Sequence, residues 1–345
     1  MESTGVLKTA GREEALVEWL RHACRSKDIV LQPIPGDASF RRYFRLYTET
    51  GPFIVMDAPP SHEDCRPFVA VAKALRATGL HAPAILHENL EAGFLLMTDF
   101  GDLTYLQSLQ AGNADELYQR ALRALAVLQR IRSVPGRTIP LFTPDFMRKE
   151  WEWHKEWFLQ KLLGLSLTDN EKELDTCYDL LVASASAQPQ VFMHRDYHSA
   201  NLMVLPDQQV GILDFQDAFI GPVTYDVVSL LRDCYIDWPP EQVRHWASAY
   251  WQMLQAEEAF RDTDSETFLR WFDLMGIQRH LKALLTFARK HVRDHQPQYL
   301  RHVPRTLNYL LQVSARYPEL AVLHDYLTAS VEPAFLNKKV SLCVP

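Results

Sequence analysis

The sequence predicts an α/β (α+β) chain folded as two lobes, a small sheet-rich one over residues 1–98 and a larger, mostly helical one over 99–333, with a tail over 334–345. Three observations carry this. Short apolar runs with strand alternation dominate up to Met97, apolar stripes at helical spacing dominate beyond it, and three brief strands interrupt the helices between Val191 and Asp214. With 345 residues, 47% hydrophobic and 23% charged, the chain is long enough for two lobes that share a cleft.

Composition narrows the function. Cys24, Cys65, Cys177, Cys234 and Cys343 are odd in number and form no C-x-x-C pair, which argues against a disulfide framework or a zinc site and fits a reducing cytoplasm. Met1 to Gly5 show no basic stretch followed by an apolar one, and Glu13 and Glu14 come soon after, so no secretory signal is expected. No apolar run approaches the ~18 residues of a membrane helix, and a net charge of −7 argues against a general nucleic-acid binder. A cytoplasmic monomer with a small-molecule partner, without membrane or nucleic-acid partners, is the expectation.

Taken in order, Ala15, Leu16, Trp19, Leu20 and Ala23 give an amphipathic first helix over Arg12 to Cys24. Ile29-Val30-Leu31 begins a strand, Pro35 to Ser39 turns, and Arg41 to Tyr47 alternates back; on that return strand Arg41, Tyr43 and Arg45 share one face, Arg42 and Phe44 the other. Phe53 to Met56 is the next strand. Ser61 is placed to cap a helix running through Arg66, Phe68, Val69 and Leu75 and ending at Thr78-Gly79. Ala84-Ile85-Leu86 and Phe94 to Met97 are strands, and Thr98-Asp99-Phe100-Gly101 breaks the pattern where a hinge between lobes belongs. Leu117, Ala121, Leu122, Leu125 and Leu128 form a core helix. Trp153 and Trp157 share a face of a later helix, a face read as packing rather than sugar stacking. Leu174 to Val182, Tyr225 to Leu231 and segments of 241–330, such as Ile277 to Ala288, continue as helices, and the last residues read as an irregular tail.

The chemistry concentrates in His194-Arg195-Asp196-Tyr197-His198-Ser199-Ala200-Asn201 and Ile212-Leu213-Asp214-Phe215. Val191 to Met193 lead in as a strand, Leu202 to Leu205 lead out, Pro206 to Gln209 turn, and Val210 to Leu213 end at Asp214. Asp196, Asn201 and Asp214 thereby reach one sheet edge. Phosphoryl transfer needs a proton acceptor beside the attacking hydroxyl and hard oxygens for Mg²⁺; Asp196 suits the first role, Asn201 and Asp214 the second. Any one of these residues alone would read as a turn cap.

This segment resembles the aminoglycoside phosphotransferase-like branch of the protein-kinase-like superfamily. Over a longer stretch, with Asp37 to Arg45, Met56 to Pro60 and Gly221 to Asp233, the chain is similar to one subgroup, the anomeric N-acetylmuramate/N-acetylglucosamine kinases of peptidoglycan recycling. The resemblance implies a bilobal protein-kinase-like fold, ATP and Mg²⁺ as cofactors, and an amino-sugar substrate. It implies that the first hairpin covers the phosphates, although Gly36 is its only glycine and Ser39 amides must serve. Met56 stands where the family carries a phosphate-pairing cation; Arg41, Arg42 and Arg45 are the nearby substitutes, and Glu63 and Asp64 read as helix-start charges only. Backbone groups around Met97 to Asp99 would meet adenine, or Met97 is simply core. His194 and Asp226 would brace the loop, and His198 reads as solvent-facing. Arg195 pairs with a carboxylate or with phosphate. Arg232 and Tyr235 are weak candidates for the substrate, because that stretch offers both charge signs. Aminoglycoside, choline or sugar-alcohol kinases are the near alternatives, and a nucleotide-binding scaffold the remote one.

Overall fold

A computed structural model describes residues 3–35, 40–167 and 171–342. The chain opens with α1 (Ser3–Cys24), followed by β1 (Leu31–Ile34), β2 (Arg42–Thr48), β3 (Gly51–Asp57), α2 (Arg66–Ala77), β4 (Ile85–Asn89) and β5 (Phe94–Thr98). The five strands form one antiparallel sheet in the order β1-β2-β3-β5-β4. Strand alternation gives this sheet two faces. Phe44, Leu46 and Val55 pack with Leu96 under Leu16 and Leu20 of α1, which lie one helical turn apart. Met56 points the other way into the main core with Phe68 and Ala72 of α2 and is fully buried. Ser61 does not cap α2. That helix begins at Arg66, whose amide donates to Asp64 Oδ1 at 3.0 Å.

The helical lobe begins with α3 (Tyr105–Ala111), fixed by a reciprocal cap between Thr104 and Gln107, and α4 (Ala114–Leu128). Next come α5 (Pro144–His154), which continues as a π-helical stretch over Lys155–Leu162, and α6 (Glu171–Ser186). Four short strands follow, β6 (Gln190–Met193), β7 (Leu202–Val204), β8 (Val210–Ile212) and β9 (Phe219–Pro222), pairing as β6-β9 and β7-β8. The β9 strand is not legible in the sequence pattern. Then come α7 (Thr224–Leu231), α8 (Pro240–Leu254), the 28-residue α9 (Ser265–Val292), α10 (Val303–Ser314), α11 (Ala321–Tyr326) and α12 (Glu332–Leu342).

Most side chains from Phe268 to Ala288 on α9 are buried, because α5, α6, α7, α8 and α10 pack around it. Such a helix, apolar on nearly all sides, forms the axle of the lobe. Residues after Val331 are helical where an irregular tail is expected, and Phe335 anchors them in the core. Among the described residues no helix is long and apolar enough to cross a membrane.

Candidate active site

The loop after β6 turns sharply because Arg195 adopts a left-handed φ of 76°, a conformation that costs a non-glycine residue energy. Asp226, buried on α7, holds that turn by accepting from the amides of His194 (2.7 Å) and Arg195 (2.9 Å). Burial pushes the pKa of Asp226 up to about 7 against the pull of those two amides. At the other end of the loop Asp233 accepts from the Ser199 and Tyr235 amides, each at 2.9 Å. Two carboxylates therefore clamp one loop.

His194 ties this loop to the strand that ends at Asp214. Its Nε2 donates to Leu213 O at 2.9 Å and its Nδ1 accepts from the Asp196 amide at 3.3 Å. Burial lowers its pKa, so the ring is neutral and one nitrogen donates while the other accepts. Asn201 Nδ2 donates to Asp196 O at 3.0 Å and lies 3.5 Å from Asp214 Oδ2. Gln216 donates to the other Asp214 oxygen at 2.8 Å, and Asp214 itself has a left-handed φ of 60°. Asp196, Asn201 and Asp214 are thus brought together.

Asp196 has a partner the sequence did not disclose. Lys282, on α9, places Nζ 3.0 Å from Asp196 Oδ1. Burial by itself would raise the Asp196 pKa; the Lys282 ammonium, helped by Arg279 and Arg195, outweighs it and holds the carboxyl well below the usual range. Arg195 turns back into the lobe, 3.4 Å from Glu150 and with its guanidinium 4.7 Å over the Phe219 ring. Glu150 also accepts from Gln278 at 2.9 Å. Of the two partners the sequence offered Arg195, carboxylate and phosphate, the structure shows the carboxylate.

Between the lobes lies a cavity of about 380 Å³ lined by Tyr43, Met97, Asp99, Phe100, Asn201 and Asp214, among others. Gly211 makes room for its wall, since a Cβ there would come 2.8 Å from the Phe100 ring. Asn201 points its amide nitrogen at Asp196 O, and the same nitrogen lies 3.5 Å from Asp214 Oδ2, so the amide group sits beside the Asp214 carboxylate. Two hard oxygens at the cavity fit Mg²⁺, which keeps waters and takes its remaining ligands from phosphate. Among the described residues no group of three or more His, Cys, Asp or Glu is gathered for a metal, so an all-protein cage of those residues is not what the site provides.

The other expected contacts divide. Ser39 lies outside the described residues, as do Asp37 and Ala38. Arg41 stays at the cleft, where its guanidinium meets Glu63 Oε2 at 2.9 Å and feels the charge of Asp214. Glu63 is therefore more than a helix-start charge: it partners an arginine that feels the Asp214 carboxylate. Arg42 is excluded from the cleft, since alternation sends it to Asp57 (Nε 3.0 Å) on the α1 side, where Arg12 also binds that carboxylate at 2.7 Å. Arg45 lines the cavity but is held by Asp99 (3.2 Å) and Asp102 (2.8 Å). Asp99 also accepts from the Gly101 amide at 2.8 Å, and the Thr98 amide donates to Ala84 O at 3.1 Å, so both are engaged within the hinge.

Arg232 is not a cleft residue. It forms a buried pair with Asp273 and lies 4.4 Å over the Phe272 ring, because its place at the end of α7 turns it into the lobe. Tyr235 does sit beside the loop, edge-on to His198 at 5.3 Å and to His302 at 4.8 Å. That contact covers His198, which is buried rather than solvent-facing. Trp153 meets Phe146 edge-on, in keeping with a packing role.

Known proteins resemble this chain in sequence and in fold. An N-acetylmuramate/N-acetylglucosamine kinase of Pseudomonas aeruginosa is 46% identical over 305 residues, covering 87% of this chain and 88% of that protein. A protein of the same name from Neisseria meningitidis is 36% identical over 324 residues, covering 93% and 96%. Among solved structures, choline kinase LicA from Streptococcus pneumoniae shares the fold, with a TM-score of 0.60 at 13% identity and coverage of 88% and 99%. Residues 30–269, from just before β1 into α9 and including the clamped loop, match a single family along their length, and on that match the chain belongs to the phosphotransferase enzyme family.

Proposed function

We propose that the protein transfers the γ-phosphoryl group of ATP to the anomeric hydroxyl of N-acetylmuramate and of N-acetylglucosamine, acting in the cytoplasm on recycled cell-wall sugar. The observation that carries the kinase reading is the ionised Asp196, held by Lys282 at the edge of the cleft that Asn201 and Asp214 line. The name shared by relatives at 46% and 36% identity supports the choice of sugar.

In this reading Asp196 Oδ1 stays with Lys282 and Oδ2 receives the sugar hydroxyl. The sugar oxygen bonds to phosphorus as the bond to the ADP oxygen breaks, the electron pair leaves with ADP, and the hydroxyl proton passes late to Asp196. A low pKa suits this role, since a loose transition state needs a base that orients the hydroxyl more than one that pulls strongly. Asn201 and Asp214 would hold Mg²⁺, which supplies positive charge to the phosphates when bound. From the sheet side Arg41, oriented by Glu63, supplies the cation for which Met56 leaves no room. The scaffold alternative loses its motive with that pair in place.

The test is to incubate the protein with Mg-ATP and a panel of N-acetylmuramate, N-acetylglucosamine, choline and an aminoglycoside, and to locate the new phosphate by phosphorus NMR. Phosphate on the anomeric oxygen of the two sugars is expected. Phosphate on another oxygen, or turnover of choline or the aminoglycoside alone, overturns the reading.

A further inference from the structure

N-acetylmuramate differs from N-acetylglucosamine by one feature, a lactyl ether on C3 that ends in a carboxylate. A site that accepts both needs a cation for that arm, and the cation must remain tolerably placed when the arm is missing. Few cations near Asp196 qualify. Lys282 holds Asp196 itself, Arg195 pairs with Glu150, Arg232 with Asp273, and Arg279 donates to Ser229 Oγ at 3.0 Å.

Arg289 differs from all of these. It lies seven residues beyond Lys282 on α9, hence on the same helix face and about 10 Å further from the base. Thr286 lies between them on that face and donates its hydroxyl to Lys282 O at 3.0 Å. Arg289 is half-buried, with its guanidinium 5.9 Å from a Trp157 ring that Lys161 Nζ also approaches at 3.6 Å; it feels the charges of Asp294 and Glu156 but makes no ion pair or side-chain hydrogen bond with them or with any other of the described residues.

The neighbouring wall is built to keep it there. His154 Nδ1 donates to Leu281 O at 2.8 Å and fastens the end of α5 to α9. Just beyond, the backbone shifts to the π-helical stretch Lys155–Leu162 that carries Trp157, a departure that recurs at functional sites. On the next position of the helix Lys290 sits 5.6 Å over the Tyr299 ring, so aromatic residues flank this part of α9 on two sides.

We propose that Arg289 is the carboxylate-binding residue of the acceptor site. With the anomeric hydroxyl at Asp196, the lactyl arm of N-acetylmuramate projects along α9 to Arg289; with N-acetylglucosamine bound, Arg289 rests against Trp157. The proposal rests on the functional reading above and deepens it.

The experiment compares kcat and KM for both sugars in the unsubstituted protein, Arg289→Gln and Arg289→Lys, with the methyl ester of N-acetylmuramate as a further substrate. Loss of a charge-assisted hydrogen bond is worth about 10- to 100-fold. Arg289→Gln should lower kcat/KM for N-acetylmuramate by that factor, through KM, and leave N-acetylglucosamine within about twofold; Arg289→Lys should recover part of the loss. The unsubstituted protein should lose a similar factor on the ester. An ester turned over as well as the acid, or an equal fall for both sugars, overturns the assignment while sparing the sugar kinase. An unsubstituted protein that phosphorylates neither sugar removes the functional reading and this proposal together.

Discussion

The charged residues of the sheet lobe and of the helical lobe are arranged on different principles. In the sheet lobe Arg41, just before β2, meets Glu63 in the connection to α2, Arg42 reaches Asp57 on the adjacent β3, and Arg45 reaches the hinge, with the arginine side chains between 14% and 34% exposed. In the helical lobe Asp226, Asp233 and Glu150 are under 9% exposed and hold one loop through the amides of His194, Arg195 and Ser199 and the Arg195 guanidinium. Pairs that keep the arginine partly in water are weaker and more adjustable, whereas each member of a fully buried network leaves an unmatched charge when removed. The Asp196–Lys282 pair keeps some exposure of its own, 32% and 15%, so what the buried network fixes is the loop backbone that carries Asp196; the sheet side, which in the proposed reading would meet the phosphates, is held by partly exposed arginines.

That contrast is most easily broken at Asp214. Asp214→Ala removes a carboxylate from the cavity and should reduce kcat about 10³-fold, since charge stabilisation worth several kcal/mol is lost; a fall below tenfold in steady-state turnover would place the metal elsewhere. Lys282→Met comes next, with a kcat loss of about 10- to 100-fold. Its pH profile is the sharper readout. In the native protein the depressed Asp196 pKa keeps the base ionised through mildly acid pH, and the stabilising pair is lost only as pH falls through that low value. Without the ammonium, burial raises the pKa, so the acid limb of kcat should move upward. An unmoved limb would mean Lys282 does not set the charge of the base.

On the sheet side the effects should be smaller and confined to nucleotide. Arg41→Met is expected to raise KM for ATP about tenfold with kcat within threefold, and Glu63→Gln to do the same more weakly, consistent with one charge-assisted contact. A collapse of kcat in either variant would show that this lobe is no more adjustable than the other.

A separate effect, on stability rather than turnover, concerns acid pH. Burial lowers the pKa of His154 and His302 to about 4 and of His280 to about 3. A histidine kept neutral by the fold stabilises it fully above its ordinary value of 6.5, and this is lost as pH falls from there through the lowered values. For His154 the shift corresponds to on the order of 3 kcal/mol. Denaturant midpoints should drop between pH 6.5 and 4, and His154→Gln should make that slope shallower. An unchanged slope would remove His154 from the account.

How much of this was readable in the chain depended on sequence separation. Asp196, Asn201 and Asp214 lie within one strand-loop-strand-turn-strand unit, so local pattern and turn chemistry were enough to bring them to one edge. Lys282 lies 86 residues from Asp196, and nothing local marks one lysine on a helix as a partner. Glu63 reads as a helix-start charge because Met56 on β3 offers it no cation, yet its partner is Arg41, just before β2. His198 looked exposed because Tyr235, which covers it, comes from a later segment. Arg232 looked available because polarity alone does not reveal that the end of α7 faces Asp273. Strand alternation did separate Arg42 from Arg41, a local rule applied to a local question.

The most direct test is rapid-quench single turnover with the protein saturated with Mg-ATP and mixed with N-acetylmuramate, comparing the native chain with Asp196→Asn. The account predicts a burst of the sugar 1-phosphate from the native protein. It also predicts a rate about 10²- to 10⁴-fold slower from the variant, with nucleotide affinity unchanged within threefold. A variant that turns over at the native rate would contradict it.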